Sequence, residues 1–180
     1  MNDINRAYSG EKLEPETYTS YDLALDNRDA LAGDIYKNAE SYYKSVFENA
    51  GGSISFYPDK SGAVPTAELY RRETAEISVQ SVKEFCKKHG ITENVFFISA
   101  FGITLGKYNF KKDAVFTTIY HGRNDSRLSE TVGMLVKTLP VYCNFAGSTE
   151  QCLTEVQKQL INSMNNDIYP FSQIDRKSVV

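Results

Sequence analysis

Most informative about the architecture of this chain is the stretch Val132-Gly133-Met134-Leu135-Val136-Lys137-Thr138-Leu139-Pro140-Val141. It enters a run in which apolar and polar side chains alternate, and this period of two predicts a β-strand over Leu135–Phe145. Pro140 lies inside that predicted strand. Because proline has no N–H to donate to a neighbouring strand, we expect an edge strand or a bulge at this point.

Two further strands are predicted upstream of this stretch. Ala114–Tyr120 is a run of β-branched and aromatic residues, and Ala67–Ile77 shows a weaker alternation that suits an edge or half-exposed strand. Around the strands, apolar residues recur at helical spacing. Helices are predicted over 3–8 (or a coil there), 18–31, 34–48, 78–89, 92–105 and 148–168. We therefore predict an α+β fold with a mixed β-sheet covered by helices on one face.

Capping residues and apolar faces refine the helix predictions. Ser78 and Thr92 are predicted N-caps, Thr17, Thr19 or Ser20 caps the helix near residue 20, and Ser148 with Gln151 forms a capping box. The helix that contains Val95–Leu105 is apolar nearly all round, so we expect it to be the most buried helix. The hydroxyls of Tyr36, Tyr42 and Tyr43 are expected to reach water at the rim of the core. The inward faces are predicted to include Ile35, Ala39, Tyr42 or Tyr43, Val46, Phe47, Val79, Val82, Phe85, Cys86, Leu153, Val156, Leu160, Ile161 and Met164.

Composition narrows the classes of function. The 180 residues suit one domain or one lobe, and the formal charge of −3 is spread along the chain, which argues against a nucleic-acid surface. The start is polar, unlike a signal peptide, and the longest apolar run is too short for a membrane span, which needs about 20 residues. We expect a cytoplasmic protein without membrane contacts. The three cysteines, Cys86, Cys143 and Cys152, are predicted to be reduced, packed thiols, not a disulfide framework or a zinc site.

One histidine is a weak candidate for catalysis. His121 ends a predicted strand and precedes Gly122-Arg123-Asn124-Asp125, an arrangement that could give a general base with a carboxylate to orient it. The alternative is a turn that leaves the strand, with Arg123 paired to a carboxylate. Nucleophile-elbow and phosphate-loop motifs are absent from the sequence. Asp22, Asp26 and Asp29 could share a helix face, but they lack a metal-loop pattern, so we predict a solvated face and no metal site.

Several segments occur in a recognisable order along the chain. They are Tyr18-Thr19-Ser20-Tyr21-Asp22-Leu23-Ala24, Tyr42-Tyr43, Asp113-Ala114-Val115, Gly122-Arg123, Val132-Gly133-Met134-Leu135-Val136-Lys137-Thr138 and Asp167-Ile168-Tyr169-Pro170-Phe171-Ser172. Their order and spacing resemble the condensation domains of nonribosomal peptide synthetases, which are chloramphenicol acetyltransferase-like acyltransferases. Two of that family's segments are Ile-Gly-x-Phe-Val-Asn-Thr and Gln-Asp-Tyr-Pro-Phe-Glu, which correspond to 132–138 and 167–172. Lys137 stands where the family has asparagine.

The resemblance implies a two-lobed, V-shaped enzyme in which carrier-bound donor and acceptor thioesters meet in a tunnel. The family's catalytic signature, His-His-x-x-x-Asp-Gly, is not in this sequence, whose two histidines, His89 and His121, are not adjacent. By resemblance, residues 18–175 would be part of a C-terminal lobe, with 1–17 as a linker or leader and 176–180 as a tail. The chain would begin just after the catalytic motif.

The same resemblance suggests roles for particular residues. Those implied to line the substrate and pantetheine tunnel are Gly133, Lys137, Thr138, Pro170 and Phe171, and those implied to be structural are Arg123, Tyr18 and Tyr21. We expect no covalently bound cofactor, since phosphopantetheine would be presented by a peptidyl or acyl carrier protein. That carrier and the missing N-terminal lobe are the expected partners.

Three functions follow from these observations. The first is a condensation-domain lobe that is inactive alone and exposes an apolar face, through which it could form a homodimer. The second is a non-catalytic module that recruits a carrier protein. The third is an independent small enzyme that uses His121.

Overall fold

The computed structural model describes residues 2–48, 50 and 77–178. The described residues form an α+β fold, as predicted, and the predicted strand at 67–77 lies outside them except for Ile77. No helix among them is long and apolar enough to cross a membrane. The helices are α1 (Asn2–Tyr8), α2 (Ser20–Leu31), α3 (Asp34–Phe47), α4 (Val79–His89), α5 (Glu93–Tyr108), α6 (Thr149–Asn165) and α7 (Phe171–Ser178). The strands are β1 (Asp113–Tyr120) and β2 (Lys137–Asn144), and a short 3-10 helix (Ser126–Leu128) lies between them.

The two strands pair antiparallel, with Ala114 opposite Cys143 and Tyr120 opposite Lys137. Since successive side chains of a strand point to opposite faces, this register gives the sheet two distinct faces. Helices α5 and α6 cover one face, and the other carries Ile119 opposite Thr138. Among the described residues, α7 also contacts β2.

Strand β2 has an outer edge that is not bonded to β1. The N–H of Tyr142 donates to Oε1 of Gln159 at 3.1 Å instead of to β1. Residues two apart in a strand direct their N–H groups to the same side, so the position of Pro140 lies on that outer edge, where proline removes no bond to β1. The predicted edge position of Pro140 is confirmed for the described residues.

The main core lies between the sheet and helices α4, α5 and α6. Helix α5 approaches the sheet closely because Gly102 has no side chain; a Cβ there would lie 2.8 Å from the Cβ of Cys143. α5 has more buried residues than the other described helices, as expected, but Phe97 on its outer side is about half exposed. The buried members are Val82, Cys86, Ile91, Val95, Ile98, Val141, Cys143, Cys152, Leu153, Val156 and Leu160.

Local capping signals were predicted correctly from the sequence. Thr19 caps α2, and Ser148 with Gln151 forms the predicted capping box of α6. Ser78 and Thr92 each accept a hydrogen bond from the first turn of the following helix. These caps depend on residues three apart in the sequence, which explains why pattern alone could locate them.

Three residues predicted to face inward do not. Ile35 and Val79 lie in the first turns of α3 and α4 and are 64% and 68% exposed, because the core begins one turn later in each helix. Ile161 is 52% exposed, since it lies about 100° around α6 from the buried Leu160. The predicted helical spacing is correct, but the buried faces of these helices are smaller than the sequence pattern indicates.

A second, smaller cluster joins α3 to the end of α6 and to α7. Tyr43 is buried there with Ala39, and its hydroxyl donates to the carbonyl of Ser163 at 3.2 Å. The Tyr42 hydroxyl donates to the carbonyl of Gln159 at 3.1 Å. The expectation that these two hydroxyls reach water is therefore wrong, because backbone carbonyls of α6 accept their hydrogen bonds. Helix α7, which follows Pro170, was not predicted.

Candidate functional site

The loop that leaves β1 passes directly beneath the segment 132–136. Gly122 has a φ of +69°, a conformation that side-chain-bearing residues rarely adopt. A Cβ on Gly122 would also overlap the backbone carbonyl of Leu135. Both the backbone conformation and the space therefore require glycine, and the contact places the exit of β1 against the entry to β2.

Arg123 closes the loop that Gly122 begins. Its Nη1 donates to the carbonyl of Leu128 and, at 3.0 Å, to the carbonyl of Thr131. These partners are backbone oxygens and not the carboxylate considered from the sequence. A guanidinium that bonds two carbonyls eight residues or fewer away fixes the shape of residues 123–131.

A polar network fastens this loop to the N-terminal part of the chain. The Thr131 hydroxyl donates to the carbonyl of Tyr18 at 2.6 Å, and the Tyr18 hydroxyl donates to Asp26 at 2.7 Å. Arg127 lies 4.5 Å above the Tyr18 ring and forms ion pairs with Asp26 and Asp125. Tyr18 and Arg123 thus both lie in one scaffold around the loop.

Two pKa directions reflect the charges in this network. The hydrogen bonds from Arg127 hold the pKa of Asp125 below its ordinary value. The hydrogen bond to Asp26 raises the pKa of Tyr18, since it favours the protonated phenol. Both effects keep the ion pairs charged and the phenol neutral at neutral pH.

His121 lies in the same loop, but its ring is placed poorly for proton abstraction. It is exposed, and its Nδ1 accepts the backbone N–H of Arg123 at 2.9 Å. A neutral imidazole with an accepting Nδ1 carries its proton on Nε2, so neither nitrogen has a free lone pair. The Nδ1 position that a carboxylate would occupy in a general base is filled by this backbone group.

Lys137 joins the two family-like segments in space. Its ammonium lies 2.8 Å from Oδ1 of Asp167 and donates to the Asp167 carbonyl at 3.3 Å. The pair is partly buried, with side-chain exposures of 34% for Lys137 and 21% for Asp167. Burial and the charge of Asp167 raise the pKa of Tyr120, which lies opposite Lys137 in the sheet.

This contact involves two departures from the family pattern. Lys137 stands where the family segment has asparagine, and Asp167 stands where the segment Gln-Asp-Tyr-Pro-Phe-Glu has glutamine. Two amides are therefore replaced by an ammonium and a carboxylate that contact each other. Opposite charges at two contacting positions compensate one another, whereas either charge alone would be partly buried without its partner.

The remaining predicted tunnel residues occupy different surroundings. Thr138 lies on the sheet face that α5 and α6 leave uncovered, opposite the exposed Ile119. Gly133 is exposed, and a Cβ there would lie 3.5 Å from Ser20, which is an ordinary contact. Pro170 is exposed and Phe171, the first residue of α7, is half-buried.

The other charged or polar candidates have structural partners. Asp22 accepts hydrogen bonds from Thr19 at the start of α2, and Asp29 pairs with Arg28. His89 lies 3.5 Å from Glu150. Tyr21 is exposed. Among the described residues, no group of three His, Cys, Asp or Glu side chains is arranged to hold a metal ion.

Comparison with known proteins identifies the family. A family model described as "Condensation domain" matches residues 1–180. The chain belongs to the condensation-domain family. A curated relative of this condensation domain is Nonribosomal peptide synthetase sidC of Arthroderma benhamiae, 29% identical over 175 residues. The match covers 96% of this chain and 3% of that relative, so the chain spans a small part of such synthetases.

Solved structures share the fold of this condensation domain. SgcC5 protein from Streptomyces globisporus matches with a TM-score of 0.77 and 20% identity, over 98% of this chain and 41% of that one. The complex of the X-domain and OxyB from teicoplanin biosynthesis matches with a TM-score of 0.73 and 16% identity, over 96% of this chain and 41% of that one. The predicted resemblance and the α+β fold are confirmed.

Several site residues of this condensation domain could not be found from the sequence. Asp26, Arg127 and Thr131 form the network around Tyr18, and Asp167 pairs with Lys137. No local pattern marks them as a group, because the contacts Asp26–Arg127, Thr131–Tyr18 and Lys137–Asp167 join residues 30 or more positions apart. The one available signal was the charge of Lys137 at a position where the family has a neutral residue.

Proposed function

We propose that this chain forms part of the C-terminal lobe of a nonribosomal peptide synthetase condensation domain and supplies one wall of its substrate tunnel. The observation that supports this most is the Lys137–Asp167 contact, which holds the segments 132–138 and 167–172 side by side. The sheet face that points away from α5 and α6, on which Thr138 is half-buried and Ile119 is exposed, is the surface along which we propose that an extended ligand lies.

The wall residues divide into lining and support. Thr138 lines the surface, and its hydroxyl can donate to or accept from the amides of a phosphopantetheine arm that a carrier protein presents. Gly133, Pro170 and Phe171, which belong to the two segments that the Lys137–Asp167 contact joins, are the other proposed lining residues. Lys137 supports the wall, because its ammonium is engaged by Asp167. Such a wall acts by holding the arm in a reactive position, which is the entropic contribution of an enzyme to a reaction between two bound groups.

The chemical step of such a domain joins an amine to a thioester carbonyl. A C–N bond forms, the C–S bond breaks, the pantetheine thiol leaves, and the amine proton is transferred to a base. We assign that base to a His-His-x-x-x-Asp-Gly motif outside these 180 residues, since the geometry of His121 does not suit it. The chain is therefore expected to be inactive alone.

The other lobe would dock on exposed apolar side chains at the entry to β2. Every second residue along the entry to β2 is apolar and exposed. These residues are Val132, Met134 and Val136, and Met134 is 89% exposed. A row of exposed apolar side chains suits contact with another protein surface. Without the other lobe we expect this row to drive self-association, which light scattering over a wide concentration range would detect. Met134→Glu should shift the distribution to monomer, whereas a concentration-independent monomer for the wild type would contradict the assignment.

Photo-cross-linking tests the wall. A photoreactive amino acid replaces Thr138, and a matched control replaces Thr154, which is exposed on α6 away from the sheet. The probe is a peptidyl carrier protein with its phosphopantetheine arm, compared with the same carrier without the arm. We expect cross-linking at position 138 only with the arm, and none at position 154. Equal cross-linking at both positions, or none at position 138, would overturn the proposed wall.

A second candidate function is a non-catalytic module that recruits a carrier protein. The observation that favours it is the complex of the X-domain and OxyB, in which a protein of this fold is bound to another protein. If this chain does the same, calorimetry should detect carrier binding without any amide formation, and binding should persist for the carrier that lacks its arm. Arm-dependent binding would instead favour the tunnel wall.

A further inference from the structure

Two of the three cysteines touch each other in the centre of the core. The Sγ atoms of Cys143 on β2 and Cys152 on α6 are 3.2 Å apart, and both are free thiols. The two side chains are 0% and 1% exposed. Cys86, the third cysteine, is buried on α4 in the same core cluster.

This distance is within reach of a covalent bond. A disulfide has an S–S length of about 2.05 Å, so the two sulfurs would have to approach by roughly 1 Å. The thiols also interact chemically, since a hydrogen bond joins the two sulfurs and lowers the pKa of Cys152. That same bond, together with burial, raises the pKa of Cys143. One member of the pair is thus the better nucleophile and the other is the resolving thiol.

We propose that Cys143 and Cys152 are a redox modification site, at which a peroxide oxidant forms a reversible disulfide between β2 and α6. The Cys152 thiolate attacks a peroxide oxygen, which breaks the O–O bond and gives a sulfenic acid and, after protonation, water. The Cys143 sulfur then attacks the sulfenic sulfur, forming the S–S bond and releasing a second water. Two thiols are oxidised as one peroxide is reduced, and a dithiol reductant reverses the reaction.

Burial sets the rate of this reaction. Both sulfurs are shielded, so the oxidant reaches them when the first turn of α6 opens locally. That turn is held by the capping box of Ser148 and Gln151. The disulfide should therefore form slowly in buffer and faster in urea below the unfolding transition. Once formed, it ties the inner face of the sheet to α6 and raises the unfolding temperature.

Hydrogen peroxide treatment of the whole chain tests the proposal. We expect the monomer mass to fall by two hydrogen atoms, two of the three thiols to become unreactive to titration in denaturant, and peptide mapping to join Cys143 to Cys152. Cys86→Ser is the matched control and should form the same disulfide, whereas Cys143→Ser and Cys152→Ser should not.

Peptide mapping of the oxidised wild type shows which cysteines are linked even if a serine variant fails to fold. A link that involves Cys86, a disulfide between two chains, or sulfonic acid at Cys152 without a link would overturn the proposal. So would three intact thiols after treatment in buffer and in sub-denaturing urea. The result is independent of the proposed tunnel wall, because no carrier or substrate enters the measurement.

Discussion

The apolar core beneath the sheet and the loop between the strands are stabilised by different interactions. In the core, Leu105, Val141 and Val156 are almost completely buried and make contacts that depend on volume and shape. The loop from 121 to 136 depends on particular atoms, such as the guanidinium of Arg123 on two carbonyls. A core accepts other apolar residues of similar volume, whereas a loop of this kind accepts few substitutions.

This difference explains where several of the residues that match the condensation-domain segments occur. Gly122 and Arg123 lie in the loop, and each has a contact that another residue type could not make. The segment 132–138 follows next to them and enters β2. The core is made of interchangeable aliphatic and aromatic residues, so it specifies the α+β class without specifying the family. Substitutions in the core should therefore destabilise the protein through lost packing, and substitutions in the loop through strain or lost hydrogen bonds.

The largest expected effect belongs to the core. Leu105 of α5 is 2% exposed, so Leu105→Ala leaves a buried cavity beside this helix and should lower the free energy of unfolding by about 3–5 kcal/mol. Urea denaturation followed by circular dichroism measures this. Ile161→Ala removes an exposed side chain of similar size and should change the value by less than about 1 kcal/mol. Equal losses for the two variants would contradict the placement of the core.

The next effect is in the loop. Gly122→Ala combines a positive φ with overlap on the Leu135 carbonyl, so we expect a loss of about 3 kcal/mol. Gly90→Ala is the matched control, since Gly90 has a φ of +63° but open space around it. That variant should lose only about 1 kcal/mol. If both substitutions have the same effect, the contact between Gly122 and Leu135 is unimportant.

A smaller effect concerns the ion pair between Lys137 and Asp167, beneath the proposed wall. Lys137→Asn and Asp167→Gln should each lower the free energy of unfolding by about 1 kcal/mol, because each leaves a partly buried charge unpaired. The double variant, which carries the family's two amides, should recover about that amount. In a matching double-mutant cycle, the exposed pair Lys37 and Asp34 should show a coupling free energy close to zero. Strictly additive losses for Lys137 and Asp167 would show that the compensation does not exist.

An effect of no larger size at neutral pH concerns the second cluster. Burial raises the pKa of Tyr43 above its ordinary value of 10.0, so the folded state favours the neutral phenol. Its contribution to stability is complete below about pH 10 and is lost as the pH rises further. Tyr43→Phe should cost about 1 kcal/mol at neutral pH by removing the bond to Ser163.

Unfolding measurements at alkaline pH separate this effect from packing. Tyr43→Phe should lose less stability than the wild type between about pH 10 and about pH 12. Tyr21→Phe, at an exposed position, should follow the wild type throughout. A Tyr43→Phe variant that also follows the wild type would show that the buried phenol does not govern the alkaline transition.

Much of the fold could be predicted because its signals are local. The caps at Thr19 and Ser148 depend on residues three apart, and the strands are indicated by a β-branched and aromatic run over 114–120 and by alternation over 135–145. Contacts between distant residues could not be predicted in this way. Cys143 and Cys152 lie together only because the start of α6 packs on β2, and Lys137 meets Asp167 only because the chain returns after α6. The family resemblance suggested the candidate residues, and the fold adds that Lys137 among them pairs with Asp167.

The central claim is that these residues provide a wall and that the catalytic histidine lies elsewhere in the same polypeptide. Reading the coding sequence immediately upstream of the Met1 codon tests this most directly. We predict an in-frame segment that encodes His-His-x-x-x-Asp-Gly. A stop codon and a ribosome-binding site there, without such a motif, would contradict the claim and favour a free-standing lobe that recruits a carrier protein.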